Sequence, residues 1–379
     1  MVALLSHEER AAFKRCRRAW DLGASGRRNL MPRATVELPD PDRLIRDAMA
    51  VYYFPGMWDW SRGVVLPLVD QAFDKSLAKQ AAHRGPEIPT GADSVASLAK
   101  QLLHAYTQWA PEVDRFGPVL VEVDYQADLT DPDTGENGLF TPGGHHLRYQ
   151  GRIDLLAVDE HDAYWIVRHH VVKEWTPLDA LERDEEAVAA CWAWEQFYIG
   201  MEIAGTIHNE MRMPSRGPVD PRGMDPPTGA ARARGGVAQH VGSGGGRSIP
   251  QHRRLYARAS EPVDFERVEH DTGPLFRRTW IRRPRPEVAQ AGRQLATEAR
   301  EIFATDVAVY PSPSEACHRC PFSAPCVALY EGRDTEANAI LASSYEPRPA
   351  PELEEGRLGG VTWSTGRGAA PPRFSGRAP

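Results

Sequence analysis

LRYQGRIDLLAVD (147–159) and, just after it, AYWIVRHHVV (163–172) decide how this chain folds. Upstream of both, VLVEVDYQADL (119–129) alternates apolar and polar residues as a half-buried strand does. The turn-rich TDPDTGENG (130–138) connects the first strand to the second, and the tight Glu160-His161-Asp162 link connects the second to the third. Three strands in meander order are therefore expected.

Helical signals surround them. SHEERAAFKRCRRAW (6–20) reads as a helix with Ser6 as N-cap, Glu8 and Glu9 in the first turn and Lys and Arg crowding the end. Residues 41–110 hold several helical stretches, among them SVASLAKQLLHAYTQW, whose Leu98, Leu102, Leu103, Tyr106 and Trp109 share one face. After the meander come a helix over about 182–200, a strand over about 202–213 and a helix over about 286–304. Local strand pairing with flanking helices predicts an α/β or α+β sandwich with a mixed sheet.

Composition bounds the rest. The 41% hydrophobic and 26% charged fractions exclude a fibrous or wholly disordered chain. The excess of Gly and Pro, 32 of each, sits mainly in 214–251 and beyond about residue 345. One domain over 1–344 is expected, with a flexible Gly/Arg-rich insertion at 214–251 and a disordered Pro/Gly/Arg-rich tail over 345–379. The net charge of −7 excludes a globally basic, histone-like DNA binder. Local basic clusters remain at Lys14-Arg15-Arg17-Arg18, Arg27-Arg28, residues 212–260 and Arg277-Arg278-Arg282-Arg283-Arg285. Met1 to Leu5 is too short an apolar run for a signal peptide, and no run approaches the roughly 18 residues that span a bilayer. A cytoplasmic protein without membrane association is expected.

Of the five cysteines, Cys317, Cys320 and Cys326 stand in the spacing C-x2-C-x5-C. Two thiolates two residues apart can grip one metal centre from a tight turn, and the third closes it from the following loop. A fourth ligand is wanted. Cys16 is the candidate, with Cys191 and His318 as rivals, although Cys191 lies in the apolar run AACWAW. Spacing alone leaves zinc and a four-iron cluster both open.

A lone cysteine in a Cys-Arg-x-x-Trp context, a distant C-x2-C-x5-C and the preceding Tyr310-Pro311-Ser312-Pro313 resemble the iron–sulfur staple of RecB-like PD-(D/E)XK nucleases. That staple occurs in AddB-type helicase–nucleases and CRISPR-associated adaptation nucleases. The strand Gln150-Gly151-Arg152-Ile153-Asp154-Leu155-Leu156 is similar to the family's Gly-x-Ile-Asp strand, whose Asp binds the catalytic metal. Tyr164 to Val171 lies where the family carries Ile-Val-Asp-Tyr-Lys-Thr, and the helix with Trp192, Trp194 and Tyr198 lies where it has Gln-x-x-x-Tyr. The resemblance spans about residues 8–330 without the insertion. It implies a PD-(D/E)XK core whose N- and C-terminal regions are joined by a 4Fe-4S cluster on Cys16, Cys317, Cys320 and Cys326, with zinc as the alternative.

The catalytic motif is degenerate. Such a site needs two carboxylates to hold Mg²⁺ or Mn²⁺ against a phosphate and a Lys to orient the attacking water. Asp154 fills the first place, but Arg168 stands where the second carboxylate belongs and His170 where the Lys belongs. An arginine stays charged and repels a cation. No residue from Arg46 to Tyr53 matches the family's metal-binding His, and Glu185 or Glu186 falls near its Gln. In a migrated site, Glu122 pairs with Asp154 while Lys173 or His170 stands in for the Lys. Three functions follow. The first is a nuclease-like protein that binds or helps process DNA, as single strands or duplex ends, with weak or lost cleavage. The second is an active Mg²⁺- or Mn²⁺-dependent DNA exonuclease using the migrated site. The third is a metal-stapled module that binds a protein partner and no nucleic acid.

Overall fold

The structure, a computed structural model, describes residues 2–33, 38–83, 90–136, 138–198, 200–214 and 268–348. The expected insertion, beyond Pro214, lies outside the described residues, as does the expected tail from residue 349.

Capping chemistry sets where helices begin. The Ser6 hydroxyl accepts the Glu9 N–H (3.2 Å) and starts α1 (His7–Arg15). The single helix expected over 6–20 is broken: Cys16 adopts an extended backbone, and α2 (Arg17–Gly23) starts immediately after it. Asp40 caps α3 (Pro41–Tyr52), which has Pro41 in its first turn, and the long helices α4 (Arg62–His83) and α5 (Ala92–Val113) follow. Leu102, Leu103 and Tyr106 of α5 are fully buried, as their spacing predicts.

The meander forms as expected. β3 (Phe116–Asp128), β4 (His146–Asp159) and β5 (Tyr164–Val172) are consecutive antiparallel neighbours. The short α6 (Leu178–Glu182) and then α7 (Glu185–Phe197) lead to β6 (Ile203–Arg212), which lies parallel to β5. β7 (Val268–Thr272) and β8 (Phe276–Arg282) form an antiparallel hairpin, and β8 pairs with β6. Val2–Leu5, which composition marked only as a short apolar run, is a strand, β1, parallel to β4. Among the described residues the main sheet thus has seven strands in the order β1-β4-β5-β6-β8-β7, with β3 on the other edge of β4. The fold is a mixed α/β sandwich whose central sheet is flanked by helices.

Each face of the sheet has its own core. Leu44, Ile45, Phe73, Leu102 and Tyr106 of α3–α5 pack on Val167, Ile207 and Trp280. On the opposite face, Phe13, Trp194 and Leu295, the last from α8 (Arg285–Ile302), pack on Ile153, Leu156 and Ile166. Trp192 and Trp194 belong to this core rather than to a surface. Where β6 meets β8, Gly205 is required: a Cβ there would stand 2.1 Å from the Ile281 carbonyl oxygen.

The central strands also bury charge. Arg278 is fully buried, with Nη1 2.5 Å from Asp114 Oδ1 and Nη2 donating to the Tyr106 hydroxyl (2.8 Å). The Tyr53 and Tyr106 hydroxyls are 2.7 Å apart, and Tyr53 donates to Asp114 Oδ1 (3.0 Å). Asn209 donates to the Tyr106 hydroxyl (2.7 Å) and lies 2.9 Å from His169 Nδ1. A buried charge is tolerable when so paired.

The C-terminal elements return to the N-terminus. α9 (Ser323–Tyr330), α10 (Asp334–Ser344) and β9 (Tyr345–Pro347) end the described chain, and β9 pairs antiparallel with β2 (Leu30–Pro32). Tyr345–Pro347 is therefore ordered strand, not the start of a disordered tail. Ala19 and Leu22 of α2 form a small third core with Phe322, Leu341 and Tyr345.

Candidate functional site

β4 carries the first candidate site because it serves two neighbours on one edge. β1 pairs with residues 146–149 and β5 with residues 155–158, so Gln150 to Asp154 have neither as ladder partner. β5 diverges here, and its free N–H groups are taken by carboxylates. Asp154 Oδ2 accepts the His169 N–H and Asp42 Oδ1 the Val171 N–H, both at 2.8 Å.

Glu122 lies opposite Asp154, because Val121 pairs with Leu155 and Val123 with Ile153. Strand alternation should hold residues two apart on one face. Yet Val121 and Leu155 belong to the α3–α5 core, whereas Val123 and Ile153 belong to the other. Both strands switch faces at this pair, and Glu122 makes its switch with a left-handed φ of 49°. That conformation costs a non-glycine residue about 1–2 kcal/mol. The strain is spent holding a carboxylate against Asp154 in a half-buried position.

α3 completes the set, with residues that sequence reasoning passed over. Arg46 Nη2 is 3.0 Å from Asp42 Oδ2, and its Nη1 is 3.9 Å from Asp154 Oδ1. Asp47, bonded by Ser76 Oγ (2.6 Å), adds its charge near Glu122. Arg152 bonds Asp124 through both Nε and Nη2, at 2.5 and 3.0 Å, and reaches Glu122 Oε2 at 3.4 Å. Burial, and after it the charge of Asp154, pushes the Glu122 carboxyl up to about 8. Burial raises the Asp42 carboxyl too, against the pull of Arg46 and the Val171 N–H.

The shift of Glu122 gives a stability prediction with a definite sign. An unfolded chain releases this proton near the ordinary glutamate value of about 4.3. Between that value and about 8 the folded protein keeps the proton and the unfolded chain does not, so stability falls as pH rises through this window. Glu122→Gln should remove the dependence, gaining on the order of 3 kcal/mol over wild type between pH 5 and pH 8.5 in denaturation midpoints. Equal pH slopes for the two proteins would refute the assignment.

The motif positions on β5 are turned to another task. Arg168 Nη1 is 3.0 Å from Asp184 Oδ2, and Nη2 bonds Glu186. Asp184 is also the N-cap of α7, accepting the Glu186 and Ala187 N–H groups at 3.0 and 3.1 Å. The negative charges of Asp184 and Glu186 outweigh burial and hold Arg168 firmly protonated. His170 lies on the same face, its ring 6.1 Å from that of His208. Burial, then Arg168, lowers His170 to about 4, so it is a neutral imidazole near pH 7. Lys173 is exposed on the bend after β5. Asp154 and Glu122 are thus brought together, while Arg168 and His170 face the start of α7.

The second candidate site is built by the break at Cys16. Cys16, Cys317, Cys320 and Cys326 line one cavity of about 230 Å³, walled otherwise by Ala19, Pro311, Pro313 and Phe322. Cys191 is buried in α7, where burial pushes its thiol up to about 12, and His318 is not part of this wall. The Ser312 N–H points at Cys16 Sγ (3.5 Å) and the Ser314 N–H at Cys317 Sγ (3.4 Å). Burial raises the Cys326 thiol, and the Arg18 guanidinium beside it opposes the rise. Among the described residues, no group of three or more His, Cys, Asp or Glu side chains converges as the ligands of one metal ion.

The basic residues at 215–260 lie outside the described residues; of the others, most are paired with carboxylates. Arg277, Arg278 and Arg283 are buried, paired with Glu210, Asp114 and Glu287. Lys14 bridges Glu185 and Glu298, Arg17 pairs with Glu301, and Arg27 and Arg28 both meet Asp21. Of the Arg277-Arg278-Arg282-Arg283-Arg285 cluster, Arg282 is half-buried and Arg285 exposed. Among the described residues no helix is long and apolar enough to cross a membrane. In comparisons with known proteins, no family model and no curated protein matches this chain.

Proposed function

We propose that this chain is a RecB-like PD-(D/E)XK scaffold that binds or helps process DNA with its cleavage centre silenced, and that an iron–sulfur cluster ties its two ends together. The observation that carries the reading is the pair of arginines about Asp154. Arg46 puts a fixed positive charge between Asp42 and Asp154, and Arg168 replaces a carboxylate with a second one engaged by Asp184 and Glu186. A divalent cation brought to these carboxylates meets guanidinium charge on two sides.

Cys16, Cys317, Cys320 and Cys326 would hold the cluster, which supplies a covalent tie between residues some 300 apart in sequence. A tetrahedral zinc, with Zn–S bonds of about 2.3 Å, is the alternative occupant of the same four thiols. The N–H groups directed at Cys16 and Cys317, and Arg18 beside Cys326, suit thiolate charge.

The exonuclease reading draws on one feature, the strained Glu122 facing Asp154. A single set of experiments separates the three. Protein purified without oxygen should be brown and lose its colour in Cys16→Ala; a colourless protein with stoichiometric zinc ends the cluster assignment. Wild type should bind DNA with an affinity that falls steeply with salt, and Mg²⁺ or Mn²⁺ should give no cleavage. Cleavage lost in Asp154→Ala establishes the exonuclease, and absent DNA binding leaves the protein-interaction module.

A further inference from the structure

Large side chains are exposed at and beside the cysteine cavity. Tyr330 is 75% exposed, Val327 49% and Tyr310 48%. Val327 and Tyr330 of α9 line the cavity, and Tyr310 precedes Pro311, which also lines it. Tyr310 is tied in place: its carbonyl accepts the Arg18 N–H (3.0 Å), and the Arg17 guanidinium lies 5.2 Å from its ring.

Charge around this mouth is mainly positive. Arg15 lines it and is exposed, Arg18 stands beside Cys326, and His318 and Arg319 are exposed on the turn between Cys317 and Cys320. Of the acids nearby, Glu301 is engaged by Arg17 and Glu331 by Arg333, while Glu315 is exposed. Exposed aromatic rings beside cations suit a polyanion with planar groups. Bases stack on any aromatic face, and arginines follow the phosphates without reading sequence.

We infer that this rim is a stacking platform for single-stranded DNA, with bases on Tyr330 and Tyr310 and the backbone along Arg15 and Arg319; the inference rests on the DNA-binding reading above. A duplex keeps its bases stacked inside and offers these rings little.

The test is fluorescence anisotropy of a labelled oligo-dT of about 20 nucleotides with the full chain purified without oxygen. Tyr330→Ala and Tyr310→Ala should each weaken binding roughly 5- to 100-fold, and Tyr330→Phe should restore it to within about twofold. Arg15→Ala should lower the slope of log affinity against log salt by about 0.7. Tyr330 is so exposed that its loss leaves the fold intact, which an unchanged thermal melt would verify. If wild type binds the oligomer but both Tyr→Ala variants bind equally well, or if duplex of the same length binds more tightly, the platform is overturned while DNA binding stands. If wild type binds neither, the DNA reading itself falls.

Discussion

Asp114→Ala should cost this protein about 3–5 kcal/mol of stability, the penalty for stripping a buried charge of its partner. Arg278 would keep the Tyr106 hydroxyl at 2.8 Å but lose the carboxylate 2.5 Å from Nη1. Tyr53 would lose its acceptor as well, since its hydroxyl donates to the same Asp114 oxygen. Denaturant midpoints at constant slope would measure the loss. Replacing both partners, as Asp114→Leu with Arg278→Met, should recover most of it, because the isolated charge is the costly element. A loss below about 1 kcal/mol in Asp114→Ala would mean that the network is not a closed unit. The effect should also reach Asp154: Asn209 links Tyr106 to His169, whose backbone N–H donates to Asp154.

The second large effect is a gain. Arg46→Ala should raise the affinity for Mn²⁺ about fivefold over wild type, read as loss of the free-ion paramagnetic signal. Opposite charges 4 Å apart are worth about 4 kcal/mol at an effective dielectric of 20. The partial exposure of Arg46 cuts that to about 1 kcal/mol, which is about fivefold. The freed carboxylates would be Asp42 and Asp154, so adding Asp154→Asn should erase the gain. Cleavage need not follow, because Arg168 and neutral His170 still hold the motif positions. Identical Mn²⁺ binding in wild type and variant would remove Arg46 as the silencing charge.

The meander was readable from period-two alternation in β3 and from the apolar runs of β4 and β5, which bury both faces where helices cover the sheet on each side. The switch at Glu122 and Asp154 was not. A face change takes one residue, and it shows only when two strands are set in register. β1 was overlooked because four apolar residues form a strand only where β4 offers an open edge. The charges of α3 were hidden for a different reason. Asp42 and Arg46 stand four apart, the spacing of an ordinary solvated ion pair, and nothing local says that a strand's free edge lies in front of them. Arginines misled in the same way: Arg277 and Arg278 look like surface in sequence, while their carboxylates come from Glu210 and Asp114, far along the chain. The cysteine spacing is visible in the sequence, but the break at Cys16 is not. Cys16 joins Cys317, Cys320 and Cys326 at one cavity only because Ala19 and Leu22 pack against Phe322, Leu341 and Tyr345.

The pairing of β2 with β9 fixes the order in which this chain can mature on the ribosome. Ala19 and Leu22 pack against Leu341 and Tyr345, and at about 5–20 residues per second those partners emerge roughly 15–60 s later. For that interval α2 has no apolar cover from the C-terminal helices, and Cys16 has none of the other cavity cysteines beside it. The wait makes the nascent N-terminus the part of this protein most open to thiol oxidation or to mispairing with a neighbouring chain. It also means that any group seated among the four thiols arrives only after synthesis has passed Cys326.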